Sequence, residues 1–453
     1  MKILKKIFLQ VFPHRAMHKF LFCLVFYLLL TLAFPFSVFG IDNPQFLGFQ
    51  ATEIYQYIPS FKNPYQGEKS FVPDRQSTQT YGIYFGDQLS KNLQAYLDVE
   101  MFRGSGVSNG FGLSGYSNGD VIRAGQQNLN QDPYIARAYF RYSIPLSEER
   151  IMVNKGMDSL PGYEARNRVD IKFGKFAPTD DMDWNRYANN QRTQFMNYSF
   201  IFNPAWDYAS DTRGYSYGFS VAYLKNNWRI VFGSFMEPTT ANGYNMDTDV
   251  YRARGDNLEF GYKPYETGTV KVLFYHNQGR MGNYGEAMRI ASATNSVPSV
   301  HANEQPGRST KGVTLNFEQA IANNGETGAF MRLGWQEGRV STWSYAEADR
   351  HFSIGFQVNG INWYRQKDYI GFAYAVNGIS DIHREYLDKG GIGMLIGDGK
   401  LDPLYEMVYE VYYRIQIWKY IQVTPDYQHI VNPASNHARG PVDIYSMKLR
   451  LYF

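Results

Sequence analysis

The sequence predicts an all-β chain: a transmembrane, antiparallel β-barrel with long extracellular loops, some of them folded into the lumen. Three observations carry this. Segments of about 8 to 11 residues alternate apolar and polar side chains and are broken by turn residues. Beyond residue 41 no stretch is apolar enough for a membrane helix. Aromatic residues make up 17% of the 453, with Tyr 37 and Phe 32, a composition suited to two aromatic girdles at the membrane interfaces.

The chain starts with Lys2, Lys5, Lys6, Arg15 and Lys19, followed by the apolar run FLFCLVFYLLLTLAFPFSVFG, and no acidic residue occurs before Asp42. A basic start, an apolar core and a small residue near the end describe a secretory signal over residues 1–40, cut after Gly40, with Met17 as an alternative start. The run is also long enough to remain as one anchoring helix. Pro35 and the small residues near the end favour removal. The only cysteine, Cys23, lies inside this segment without the small residues of a lipoprotein site before it, so the mature chain would hold neither disulfides nor thiol chemistry.

Residues 41–453 read as one domain, without exact repeats or linkers. At the C-terminus Tyr445, Met447, Leu449, Leu451 and Phe453 share one face, and Ser446, Lys448, Arg450 and Tyr452 the other. Lipid outside and water inside a barrel wall require this pattern. The terminal Phe453 is a feature that the barrel-assembly machinery recognises. Leu93, Ala95, Leu97, Val99 and Met101 alternate with Gln94, Tyr96, Asp98 and Glu100. Tyr134, Ala136, Ala138, Phe140 and Tyr142 alternate with Arg137, Tyr139 and Arg141. Val169, Ile171 and Phe173 alternate with Arg168, Asp170 and Lys172, and Val313, Leu315 and Phe317 with Thr314, Asn316 and Glu318. Met407, Tyr409, Val411, Tyr413 and Ile415 do so with Glu410, Tyr412, Arg414 and Gln416. A soluble β-sandwich also alternates, but nothing in the chain is set aside to cover such long Tyr- and Phe-rich faces. Closure also leaves no strand edge exposed in lipid. The stretches 103–132, 178–214, 236–256 and 278–311 are too long for hairpin turns and read as outer loops.

Blocks along the mature chain resemble the carbohydrate-selective porin family (OprB type) of Gram-negative outer membranes. They are FQATEIYQYIPSFKNPYQGEKS (49–70), YLDVEMFRGSGVSNGFGLSGYSNGDVIRAG (96–125) followed by PYIARAYFR, IKFGKFAPTDDMDWNRYANNQRTQFMNYSF (171–200) continuing into NPAWDYASDTRGYSYG, WYRQKDYIGFAYAVNGISDIHREYLDKGGIGMLIGDG (363–399) and PDYQHIVNP (425–433). The resemblance runs from about residue 48 to the end. It implies roughly 16 strands, location in the outer membrane beside its lipid and lipopolysaccharide, and passive uptake of sugars. The stretch 278–311 matches no family block.

A sugar crosses where donors and acceptors replace its lost water and aromatic faces meet its C–H faces, with binding weak enough to release it. The polar faces nominate Asp98, Glu100, Arg103, Arg137, Arg141, Glu410 and Arg414 for the solute pathway. In the family the block after Phe176 enters a long loop, which implies Asp183, Asn185 and Asn189 as further contacts, with Trp206 and Asp207 weaker ones because a Trp near a strand end suits a girdle. The run Asp180-Asp181-Met182-Asp183 brings three carboxylates together but lacks the glycine and terminal glutamate of an EF-hand loop. His276 and His429 sit in strand-like contexts that tie neither to a serine, and no histidine pair has metal-ligand spacing, so no metal, cofactor or catalytic residue is assigned. The net charge of +3 and the lack of a basic tract exclude a nucleic-acid partner. Mixed lumen charge favours neutral sugars. A porin for anions or acidic oligosaccharides, and a barrel enzyme or adhesin, are the alternatives.

Overall fold

A strand in hydrocarbon has no water to satisfy its backbone, so every N–H and C=O must pair with a neighbouring strand. The computed structural model meets this demand by closure. It describes residues 45–120, 129–265 and 267–453. The secretory signal expected over residues 1–40, with Gly40, Cys23 and Met17, lies outside the described residues.

In chain order the strands are β1 (Gln45–Ile58), β2 (Asp74–Ser90), β3 (Leu93–Arg103), β4 (Tyr134–Pro145), β5 (Arg150–Val153), β6 (Gly162–Ala165), β7 (Arg168–Phe176), β8 (Ser216–Lys225) and β9 (Trp228–Met236). They continue as β10 (Arg254–Tyr265), β11 (Gly268–Met281), β12 (Gln305–Ala322), β13 (Thr327–Gln336), β14 (Arg350–Gly360), β15 (Arg365–Gly378), β16 (Glu406–Trp418), β17 (Ile421–Val431) and β18 (Val442–Tyr452). All but β5 and β6 form one antiparallel ring, and β1 closes it against β18 with Ala51 opposite Leu451 and Ile54 opposite Lys448. The described residues therefore make a barrel of sixteen strands, not a sandwich; β5 and β6 pair only with each other.

The two faces separate as the alternation requires. Leu97, Phe140 and Phe173 are 42%, 53% and 68% exposed on the outer face, whereas Asp98, Glu410 and Lys448 are buried within the ring. Strand β4 departs from the expected pattern. Asp98 faces Arg137 and Val99 faces Ile135, so a β-bulge leaves Ala136 as the extra residue. Ile135, not Ala136, is exposed on the outer face, and Ala136 is buried beside the half-buried Tyr134. Arg103 is exposed and shares the parity of Leu97 and Val99, so it belongs to the outer face of β3 and not to the lumen set.

Long connections alternate with short ones. The turns β2–β3, β8–β9, β10–β11, β12–β13, β14–β15 and β16–β17 hold two to four residues each. One connection at that same end, β4–β7, is long and contains the hairpin β5–β6. At the other end, β11 and β12 extend well into the stretch 278–311 and leave a cap with a helix, Tyr284–Thr294. Asn283 caps this helix by accepting from the Glu286 N–H. A second helix, Asp381–Asp388, is capped by Ser380 in the β15–β16 connection. Neither helix was legible in the strand periodicity.

Candidate functional site

The interior is organised by the segment between β7 and β8, which lies inside the ring and is tied to the wall on several sides. Asp183 sits in the left-handed region at φ 53°. This backbone suits Asp better than most residues, and dense bonding holds it. Its N–H donates to Glu259 Oε2 at 2.7 Å, and its carboxylate accepts from Asn316 at 2.6 Å and Arg332 at 3.2 Å. Arg332, with no exposed side-chain surface, also donates to the carbonyls of Phe200 at 2.6 Å and Ala188 at 2.8 Å. Asn185 donates to Asn316 Oδ1 at 2.7 Å. Further round the ring, on β16 and β18, Glu410 accepts the N–H groups of Met196 at 2.6 Å and Asn197 at 2.9 Å, Arg414 donates to the Thr193 carbonyl at 3.2 Å, and Lys448 donates to that of Gln194 at 2.5 Å.

Between this segment and β2–β4 lies a cavity of about 360 Å³. Of the ten residues nominated from the sequence, Glu100, Arg137 and Asn189 line it. Glu100 accepts from Tyr84 at 2.8 Å, Tyr215 at 2.6 Å and Arg192 at 3.3 Å. Arg137 donates from Nε and Nη2 to the two carboxylate oxygens of Asp180, at 2.7 and 2.6 Å, and from Nη1 to Asp98 at 3.2 Å. Asp98 is fully buried behind Arg137, and Arg141 joins Glu164 of β6 and Asp170 of the wall strand β7. Asp183, Asn185, Glu410 and Arg414 do not line this cavity; their bonds go to the inserted segment and the wall.

The three carboxylates weighed as a cluster go to three different cations: Asp180 to Arg137, Asp181 to Lys172 at 2.7 Å, and Asp183 to Arg332. Trp206 is fully buried and donates to Asn257 at 2.9 Å, so it is no girdle residue. Asp207 accepts the N–H groups of Trp343, Ser344 and Tyr345 at 2.6 to 2.9 Å, tying the inserted segment to the β13–β14 loop. Burial pushes its carboxyl up to about 6, with those three bonds acting in the other direction. Lys172 and Arg450, which alternation places on polar strand faces, line the cavity too, and so do Arg192, Asp120, Asp158 and Arg213, which the sequence did not single out. Arg192 bonds Asp120 at 2.5 Å, a contact between two loops that no strand periodicity encodes.

One serine–histidine pair does exist. His351 bonds Ser353 at 3.0 Å through Nε2 and Asn377 at 2.8 Å through Nδ1. Ser353 and Asn377 are fully buried and His351 nearly so. His276 and His429, the two weighed earlier, take no part.

Fold and lumen together define a porin: a closed transmembrane barrel with a narrow, polar interior. A family model, the carbohydrate-selective porin, OprB family, matches residues 93–453. The chain belongs to this family, which is one of Gram-negative outer-membrane channels passing small polar solutes. Among solved structures it is similar to the high-pH structure of Pseudomonas putida OprB, at 13% identity and TM-score 0.68, over 90% of this chain and 94% of that one. It is also similar to the anion-selective porin from Comamonas acidovorans, at 9% identity and TM-score 0.49, over 91% and 100%. The outer-membrane channel DcaP of Acinetobacter baumannii aligns at 10% identity and TM-score 0.49, over 92% and 99%. No curated protein matches the sequence.

Proposed function

We propose that this porin passes neutral sugars by passive diffusion through the cavity beside Glu100 and Arg137, and that it performs no chemistry on them. The observation that carries this is the balance of charge. Arg137, Lys172, Arg192, Arg213 and Arg450 face Glu100, Asp120, Asp158 and Asp180 around one small cavity. A ring of one sign would hold ions. Interleaved donors and acceptors instead replace the hydration of hydroxyl groups, and Phe102, Tyr139, Trp184 and Tyr215 add apolar faces for the C–H surface of a sugar. The inserted segment 178–214 is the constriction, held rigid by Asp183, Asn185, Glu410 and Arg414. The serine–histidine pair does not favour an enzyme, because the Ser353 hydroxyl is sealed where no substrate carbonyl can approach it.

Planar-bilayer recording tests the reading. Neutral monosaccharides should block the ion current saturably. Arg137→Ala should weaken the block roughly fivefold in half-blocking concentration, about 1 kcal/mol for one charged donor in a wet pore, and shift selectivity towards cations. A channel that monosaccharides leave unblocked while small anions saturate it would replace this reading with the anion porin.

We infer too that residues 1–40 are the export signal and 41–453 the mature domain. The outer face then meets lipid and lipopolysaccharide, and Phe453 serves recognition by the barrel-assembly machinery.

A further inference from the structure

The connection between β4 and β7 lies at the end of the barrel where every other turn holds two to four residues, yet it takes in residues 146–167 and carries the hairpin β5–β6. The physical question is what so long a segment does at the short-turn end.

Its base is clamped. Arg141 of β4 bonds both Glu164 of β6, at 3.0 Å through one nitrogen, and Asp170 of β7, at 2.8 Å. Arg168 bonds Glu164 at 3.0 Å and Asp170 at 2.9 Å. These side chains are mostly withdrawn from solvent, so the ion pairs are little screened and geometrically constrained, unlike exposed pairs. Its middle is seated. Leu160 is buried, and its N–H reaches the Tyr96 hydroxyl at 3.4 Å. Its tip spans towards a distant part of the wall. The Gly156 N–H donates to the Ser159 carbonyl at 3.0 Å, which turns the chain so that Met157 and Asp158 project. Lys155 donates to the Leu47 carbonyl of β1 at 3.3 Å. A Cβ on Gly48 would meet the Met157 sulfur at 3.0 Å, so the β1 wall is bare where the tip approaches. The hairpin therefore starts at β4 and β7 and ends against β1, passing β3 and β2. Met157 and Asp158 line the same cavity as Glu100, and Asp158 lies 3.9 Å from Arg137.

We propose that the β5–β6 hairpin is a second, inner selectivity element, which sets the size limit of the channel at its short-turn end and presents Asp158 and Met157 to the departing solute. This rests on the sugar-channel reading only for the identity of the solute. Asp158 offers acceptor oxygens to hydroxyl groups leaving Arg137, and the Met157 thioether offers a soft apolar surface to the C–H face. A solute in this cavity lies between the inserted segment 178–214 and this tip, so both elements limit the largest sugar admitted.

The test replaces residues 149–166 by Gly-Gly in the full chain, refolded and checked for heat-modifiable migration. A second variant, Met157→Ala with Asp158→Asn, leaves the Glu164 and Leu160 anchors in place and is read in the same way if the deletion does not assemble. The probes are neutral polyethylene glycols of graded size, which need no sugar recognition, together with swelling of liposomes in a monosaccharide and in a trisaccharide. The deletion should raise conductance about twofold or more, admit larger polymers, and raise the trisaccharide-to-monosaccharide rate ratio at least roughly fivefold. The double variant should raise the ratio less and shift ion selectivity towards anions. An assembled variant with the parent's conductance, polymer cut-off and sugar ratio overturns the proposal. If polymers of larger size enter but neither parent nor variant is blocked by sugars, the inner constriction stands and the sugar reading falls.

Discussion

Glu100 and Arg137 were legible in the sequence because each occupies the polar parity of a strand, and alternation alone sends such a side chain inward. Arg192, Asp120 and Asp158 were not, because each belongs to a connection, and its partner is chosen by where the loop lands rather than by spacing. Asp183 and Asn185 show the reverse: the residues were found, but their side chains are spent on Arg332 and Asn316 and anchor the loop. Residues in the outer loops can act on pH in the same indirect manner. His383 lies between Glu347 and Asp349, 3.2 Å from each, and stacks on Tyr284 at 4.3 Å, with Tyr386 next to that ring. Burial alone would lower its pKa, but the bonds to Asp349 and Glu347 raise it to about 9. A folded-state value above the ordinary 6.5 contributes stability that is full below pH 6.5 and lost as pH rises through about 9, on the order of 3 kcal/mol. Glu347 also accepts the N–H groups of Leu395 and Ile396, at 2.6 and 2.9 Å, so the β13–β14 loop clamps the β15–β16 loop. Exchange protection of those two amides, corrected for intrinsic rates, should fall between pH 8 and 10, and His383→Leu should abolish the pH dependence. Equal protection at both pH values in the parent would show that the clamp does not depend on the imidazolium.

Strands were the most legible elements, since a wall with lipid on one side and water on the other imposes a period of two. Where the reading of β4 slipped, a bulge was responsible: one added residue reverses the parity of everything before it, and periodicity alone does not show which residue is extra. The parity of the outer face has a measurable consequence. Leu97 lies mid-strand in β3, exposed on that face. Leu97→Arg should destabilise the barrel by about 2–4 kcal/mol, as for a cation near the bilayer midplane. Urea unfolding in lipid vesicles reads this directly, and a loss below about 1 kcal/mol would place Leu97 away from the hydrocarbon. The two helices in the outer loops were missed because each is short and has few neighbours in sequence to reveal its pattern; their capping residues, Asn283 and Ser380, were the available signal.

For the whole molecule, export and closure make one joint prediction: protein recovered from the outer membrane should begin near Ile41. N-terminal sequencing that finds Met1 or Met17 on that material would favour the anchoring helix over a cleaved signal. By itself the sequence determined that the chain is a membrane barrel, that its wall carries lipid-facing aromatics and inward charges, and, through several blocks in order, which family it resembles. Those properties are local or repetitive, so each stretch of chain reports them independently. Only the tertiary structure decided the strand register, the cavity and its opposing charges. The segment 178–214 and the hairpin β5–β6 enter from opposite ends of the barrel and border one cavity. Their contacts join Asp158 to Arg137, Asp120 to Arg192 and Asp183 to Arg332 across long intervals of chain. Such pairings depend on the path of irregular loops inside a closed ring, where no periodicity constrains the chain and only simultaneous satisfaction of buried charges selects one arrangement.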